Sequence, residues 1–297
     1  MNSKIPGQPQ LPKKDRREEA RESARRMREE QKKRDQRRRW YLRGGIGIAL
    51  IAVATIVALV IIGSVRPATP GPLNMASDGI LLQGDGTAIT AVPTEATQPD
   101  AEPVATDLSA HTDTVNISVY LDYLCPFCGQ FEVTNAEQLN SWLTAGNITL
   151  EVHPISILDG SSAGSKYSTR AANAASCVAN YQPDSFLDVN AALFANQPTE
   201  GTDGLTDAEL VSLVETAGVT DASVASCITD QEFGSWVGDA TDRALAGPLP
   251  NTDVKNVAGT PTVLVQGVQY TGALDDAAAF ESFVMEQATA TGTDTGE

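Results

Sequence analysis

The feature that most constrains this chain is Cys125-Pro126-Phe127-Cys128, because it falls where one side-chain periodicity gives way to another. Residues 115–123 are rich in β-branched and aromatic side chains and read as a strand. Beyond Glu132, Leu139, Trp142 and Leu143 recur at helical spacing, so the cysteines sit at a strand-to-helix junction. The first turn of a helix offers unpaired N–H groups and a partial positive charge, both of which favour thiolate over thiol. Pro126 suits the first helical position, where it has no N–H to lose. Cys128 then lies about one turn on, close enough to close a small ring with Cys125. One cysteine would be an exposed nucleophile and the other a shielded resolving thiol. The alternatives are a structural disulfide or half of a metal site. Zinc would need two further ligands, and the chain has two other cysteines and two histidines, none in a second tight pair. No metal site is therefore expected.

Charge divides the chain. Residues 1–43 hold 16 of the 21 Lys and Arg against 7 acids, whereas the remainder holds 5 against 31. The acidic remainder leaves no basic surface to meet phosphates, which excludes nucleic acid as a partner. The basic segment has almost nothing apolar to bury and reads as a solvated helix or a disordered tail. Next comes Gly44 to Val65, 22 residues without a charge. As a helix this run is about 33 Å long, enough to cross the apolar core of a membrane. A cleaved signal peptide is the rival, but the long leader, the length of the run and the lack of a small-x-small site after it count against that. The positive-inside rule predicts residues 1–43 in the cytoplasm, a single span at 44–65 in contact with lipid, and the rest outside.

Residues 66–112 are dominated by Pro, Ala, Thr, Gly and Asp and read as a flexible linker. His111, at its end, carries no ligand expectation. A folded domain is predicted over 113–288, with a polar tail at 289–297. Ile148 to Leu158 reads as a second strand, and His153 within it is read as a strand residue rather than a partner of the cysteines. A strand–helix–strand unit around C-x-x-C points to a thioredoxin-like α/β sheet. Residues 161–247 look helical throughout and read as an insertion, with Thr206 and Glu209 placed as a capping box. Thr262 to Val265 and Val268 to Thr271 form a predicted hairpin about Gln266-Gly267, and Leu274 to Ala288 a terminal helix. Four cysteines suit an oxidising compartment.

Four separated stretches then resemble one family in the right order. They are Asp122 to Cys128 (Asp-Tyr-Leu-Cys-Pro-Phe-Cys), the Ala-rich stretch around Cys177, Leu193 to Gln197 (Leu-Phe-Ala-Asn-Gln), and Gly259 to Thr262 (Gly-Thr-Pro-Thr). Together they resemble the DsbA-like thiol:disulfide oxidoreductases, membrane-anchored actinobacterial type. The resemblance implies a thioredoxin-like fold with an inserted all-helical subdomain over about residues 113–288. It implies Cys125 as attacking thiolate, Cys128 as resolving thiol, Pro261 as a cis-proline beside them, and Thr260 and Phe127 bordering the substrate. It also implies an extra disulfide in the insertion, where Cys177 and Cys227 lie and neither has another partner. No cofactor is implied beyond the redox-active cysteine pair. Two departures matter. The best-studied oxidases of the family carry His where this chain has Phe127, and the buried acid of thioredoxins would fall near the apolar Val119. Asp122 is the nearest acid, with either a proton-shuttling or a surface or turn role.

Three functions follow. The first is an extracytoplasmic oxidase that introduces disulfides into exported proteins with free thiols and is recycled by a membrane partner of the DsbB or vitamin-K-epoxide-reductase type. The second is a tethered reductase or isomerase, for instance in cytochrome c maturation. The third is a non-enzymatic module whose cysteines are structural or bind Cu(I).

Overall fold

The structure, a computed structural model, describes residues 69–99 and 101–292, with parts of the stretch 22–34. The chain divides into two units, Met1–Arg66 and Pro67–Glu297. In the first, residues 24–29 and 31–34 are helical, and Arg25 pairs with Glu29 one turn on at 3.3 Å. The predicted span 44–65 lies outside the described residues. Among the described residues no helix is long and apolar enough to cross a membrane.

The second unit runs β1 (Ile80–Gly84), β2 (Ile89–Ala91), β3 (Val115–Leu121), α1 (Pro126–Thr144) and β4 (Ile148–Pro154), then five helices. These are α2 (Tyr167–Tyr181), α3 (Phe186–Ala195), α4 (Asp207–Thr216), α5 (Ala222–Asp230) and α6 (Gly234–Ala246). The chain returns to the sheet with β5 (Thr262–Val265) and β6 (Val268–Gln269) and ends on α7 (Ala277–Gly292). The sheet order is β2-β1-β4-β3-β5-β6. β3 and β4 are parallel, as a helical crossover requires, and the other pairings are antiparallel.

Period-two alternation on β3 sorts its side chains between two cores. Ile117, Val119 and Leu121 enter the main core with Phe131, Leu139 and Leu143 of α1. Tyr120 points the other way, into a smaller cluster with Ile155, Ala244, Leu249, Val257 and Leu264. The expected insertion is present as α2–α6, between β4 and β5. Cys177 of α2 and Cys227 of α5 are joined by a disulfide with their Cα atoms 5.8 Å apart. Thr206 and Glu209 form the capping box at the start of α4. Gln266 and Gly267 both take positive φ, 48° and 77°, in the β5–β6 turn.

Several expected boundaries need correction. The predicted linker 66–112 is in large part folded. β1 pairs along β4 from Ile80↔Val152 to Gln83↔Thr149, and Met75, Ile80 and Leu82 are buried in the main core. Composition averaged over the stretch hides the short apolar run Ile80-Leu81-Leu82, which is long enough for an edge strand. Gly84 ends β1 where a side chain would collide with the carbonyl of Leu143 at the end of α1. β4 stops at Pro154, short of the predicted Leu158, and β6 is two residues long. α7 continues to Gly292, so the first part of the predicted polar tail is helical.

Candidate active site

β3 delivers the chain to the site, and α1 begins immediately after Cys125. Cys125 is the N-cap residue in extended conformation (φ −73°, ψ 116°), with Pro126 in the first helical turn. Its carbonyl accepts the amides of Cys128 at 3.0 Å and Gly129 at 3.1 Å. The Thr260–Pro261 peptide is cis, and the loop that carries it packs over the cysteines. Cys125 Sγ donates to the Thr260 carbonyl at 3.2 Å. That loop corrects the expectation of an exposed nucleophile. In this dithiol form Cys125 is 5% exposed and Cys128 2%. Phe127, between them, is 61% exposed.

The two thiols differ sharply in acidity. The Cys128 thiol beside it, the Thr260 hydroxyl and the N–H groups of Cys128 and Phe127 hold the Cys125 thiol down to about 6, against the effect of burial. Burial and the neighbouring Cys125 push the Cys128 thiol well above its ordinary value. Thr260 Oγ1 is itself buried without a hydrogen bond in the dithiol form, so its O–H is free to turn toward a thiolate.

Asp122 is fully buried, which removes the surface role. Its Oδ1 accepts the Leu124 amide at 2.8 Å and the Ser168 hydroxyl at 2.7 Å, and its Oδ2 accepts the Leu158 amide at 2.9 Å. Burial pushes its carboxyl up to about 6, partly offset by those donors. Val119, where a thioredoxin-type acid would fall, is buried in the main core. His153 stacks on Tyr120 at 4.2 Å, on the face of the sheet away from the cysteines, and approaches Glu151 at 3.7 Å. Among the described residues no group of His, Cys, Asp and Glu could hold a metal ion.

Near the pair, Glu132 escaped the sequence reading, and Gln197 entered it only as the end of the Leu193–Gln197 family motif, without a role. Glu132 is half-buried on α1, and burial pushes its carboxyl up to about 7 although Asn190 donates to it at 3.1 Å. Its spacing of four from Cys128 puts both on one helix face, a signal available in the sequence. Gln197 donates through Nε2 to the carbonyls of Tyr123 at 3.0 Å and Cys125 at 2.9 Å. It lies between α3 and α4 of the insertion, and although it closes the Leu193–Gln197 motif, no local pattern announces that contact.

A thioredoxin family model matches residues 111–284. The reduced disulfide bond oxidoreductase DsbG of Mycobacterium tuberculosis is similar, at 27% identity and a TM-score of 0.53, over 75% of this chain and 96% of that one. Reduced DsbA of the same organism gives 26% identity and a TM-score of 0.52, over 74% of this chain and 100% of that one. The serine/threonine-protein kinase PknE of M. tuberculosis is 30% identical over 153 residues, 50% of this chain but 26% of that protein. A match to a quarter of the kinase transfers none of its activity. The family model spans more than half of the chain, and the two similar oxidoreductases are matched over nearly their whole lengths. The chain therefore belongs to the thioredoxin family, as a thiol-disulfide oxidoreductase of the DsbA type.

Proposed function

We propose that the protein is an extracytoplasmic disulfide oxidase working through Cys125 and Cys128. The observation that carries this reading is the division of labour between the thiols, one acid and one buried. In the oxidised pair a substrate thiolate attacks Cys125 Sγ. A bond forms between those two sulfurs, and the Cys125–Cys128 bond breaks. Cys128 leaves as a thiolate and takes up a proton, since its environment disfavours the charge. The second substrate thiolate then attacks the substrate sulfur of the mixed disulfide, and Cys125 leaves as a stable thiolate. The substrate is oxidised by two electrons and the pair is reduced by two.

Asp122 is the proposed carrier of the proton that Cys128 takes up as it leaves, because a carboxyl near 6 can both hold and release a proton close to neutral pH. Thr260, Pro261 and Phe127 border the substrate. Phe127 offers an apolar contact, and the Thr260–Pro261 loop forms the wall across the sulfurs. The substrates are exported proteins with free thiols. A membrane partner of the DsbB or vitamin-K-epoxide-reductase type removes the two electrons. Residues 44–65 anchor the chain in lipid, residues 1–43 are cytoplasmic and the folded unit is outside.

The test is the equilibrium potential of the pair in the full chain against glutathione. An oxidase is expected between about −120 and −180 mV, the range spanned by strong oxidants and isomerases. A value near −270 mV, that of thioredoxin, would reverse the proposed direction.

A further inference from the structure

Gln197 follows α3 and reaches back to the segment that precedes α1. The Cys125 carbonyl takes three donors: the Cys128 and Gly129 amides of its own helix and the Gln197 carboxamide from the insertion. The same carboxamide nitrogen also holds the Tyr123 carbonyl. The Tyr123 side chain is fixed from α3 as well, its hydroxyl donating to Asn190 at 3.0 Å. The insertion thus grips the strand-to-helix turn through both backbone and side chain. Gly129 makes the approach of Gln197 possible, because a Cβ there would run into Gln197 Oε1.

The orientation of that turn matters to the chemistry. An N-cap residue is only half in its helix: its dihedrals are non-helical, and within the helix only its carbonyl is tied to the first turn, here by the Cys128 and Gly129 amides. Rotation about ψ of Cys125 would swing its carbonyl off the helix and change where the side chain lies relative to the first-turn N–H groups. Those groups stabilise a thiolate only at short range. A donor that fixes the carbonyl therefore fixes the sulfur.

We propose that Gln197 is a positioning residue for Cys125, clamping the turn so that the sulfur stays at the N-terminus of α1 and against Thr260. Gln197 does not touch the reacting sulfurs. It sets the acidity and the potential of the pair through the backbone, and so couples the inserted helices to the redox centre. This rests on Cys125 as the attacking group, but not on the direction of electron flow.

The experiment uses the full chain in mild detergent, with thiolate absorbance near 240 nm followed against pH and a Cys125→Ser variant as reference. Gln197→Leu keeps the bulk and removes the donors. It should raise the Cys125 midpoint by about one unit, an about tenfold loss of thiolate below the midpoint. The potential should fall in step, and turnover should drop with KM little changed. Gly129→Ala reaches the same contact from the helix side and displaces the flexible end of Gln197, so it should give the same shift. A midpoint and potential unchanged in both variants would overturn the proposal, whether or not the melting temperature falls. A low wild-type potential would sink the oxidase reading alone, since the shift on substitution is measured independently of it.

Discussion

The Leu158 amide donates to Asp122 Oδ2 at 2.9 Å, tying the residue three before Cys125 to the loop that follows β4. With Leu124 and Ser168 on Oδ1, one carboxylate joins the active-site approach to β4 and α2. Burial sets the sign of its contribution to stability. The carboxyl is raised from 3.8 to about 6, so the folded state favours its protonated form. The stabilisation is full below about 3.8 and is lost as pH rises through about 6.

The wild type should therefore lose on the order of 2–3 kcal/mol between pH 4 and pH 7 relative to Asp122→Asn, which does not titrate. Melting curves of both proteins across that range measure the difference. Parallel curves would show that the buried carboxyl does not titrate there. Asp122→Asn should also slow turnover several-fold at pH 7, if the carboxyl carries the proton as proposed.

The disulfide between Cys177 and Cys227 closes a loop over a sequence separation of 50. The chain-entropy relation gives about 4 kcal/mol for a loop of that size. Replacing both cysteines with serine should lower the melting temperature by on the order of 10 °C. Turnover per folded molecule should be kept, because Cys177 and Cys227 are bonded to each other and link α2 to α5, elements that carry neither reacting cysteine. An unchanged melting temperature with lost turnover would assign this disulfide a redox role instead.

What could be read in the sequence was local. Cys125 to Cys128 declared itself because a strand period meets a helix period at the motif, and the Gln266-Gly267 turn because the spacing of two short apolar runs demanded one. The segment before β3 was misread for the opposite reason. Ile80, Leu81 and Leu82 stand alone among small and polar residues, and what makes them a strand is the open edge of β4 seventy positions away in the chain. Gln197 was marked by the Leu193–Gln197 motif, but its contact was illegible on the same ground, since a glutamine at a helix end has no periodicity that reports a distant carbonyl. Glu132 was legible and overlooked. Its place one turn below Cys128 is a spacing argument, and its neighbours Phe131 and Leu139 mark the buried side of the helix.

Besides the β1–β4 pairing, one buried carboxylate ties two points of the segment before β3 to the sheet. Glu151 Oε1 accepts the hydroxyls of Ser77 at 2.5 Å and Thr106 at 2.6 Å. Burial opposes its charge, but the His153 imidazole beside it and those hydroxyls hold the carboxyl down to about 2, from 4.5. Its stabilisation is thus present above about 4.5 and lost as pH falls toward about 2. Glu151→Gln should cost about 1–3 kcal/mol at pH 7, through a weaker acceptor on two hydroxyls. In the wild type, the protection of the Leu81 and Leu82 amides, taken relative to the intrinsic exchange rate at each pH, should fall on acidification below pH 4. Protection that stays high down to pH 2 in both proteins would show that β1 is held by backbone pairing and packing alone.

Position 127 is where an added side-chain charge would test the acidity of Cys125. Phe127 lies between the cysteines, mostly exposed, and brings no charge to a thiol already held near 6 by Cys128, Thr260 and the helix N–H groups. A histidine there would be protonated below about 6.5, the range in which Cys125 ionises. Its charge would favour the thiolate, so Phe127→His should lower the Cys125 midpoint. Solvent around the exposed side chain screens that charge, which limits the expected shift to less than about one unit. A lower thiol pKa stabilises the reduced pair relative to the disulfide, so the potential should rise and dithiol-peptide oxidation should quicken. The gain should be clear at pH 5.5 and fade by pH 8, where imidazole is neutral. Thiolate absorbance near 240 nm and the glutathione equilibrium measure the two effects separately. A midpoint and potential that stay fixed in Phe127→His would place the control of Cys125 in the helix terminus and the Thr260 loop, with no share for the residue between the cysteines.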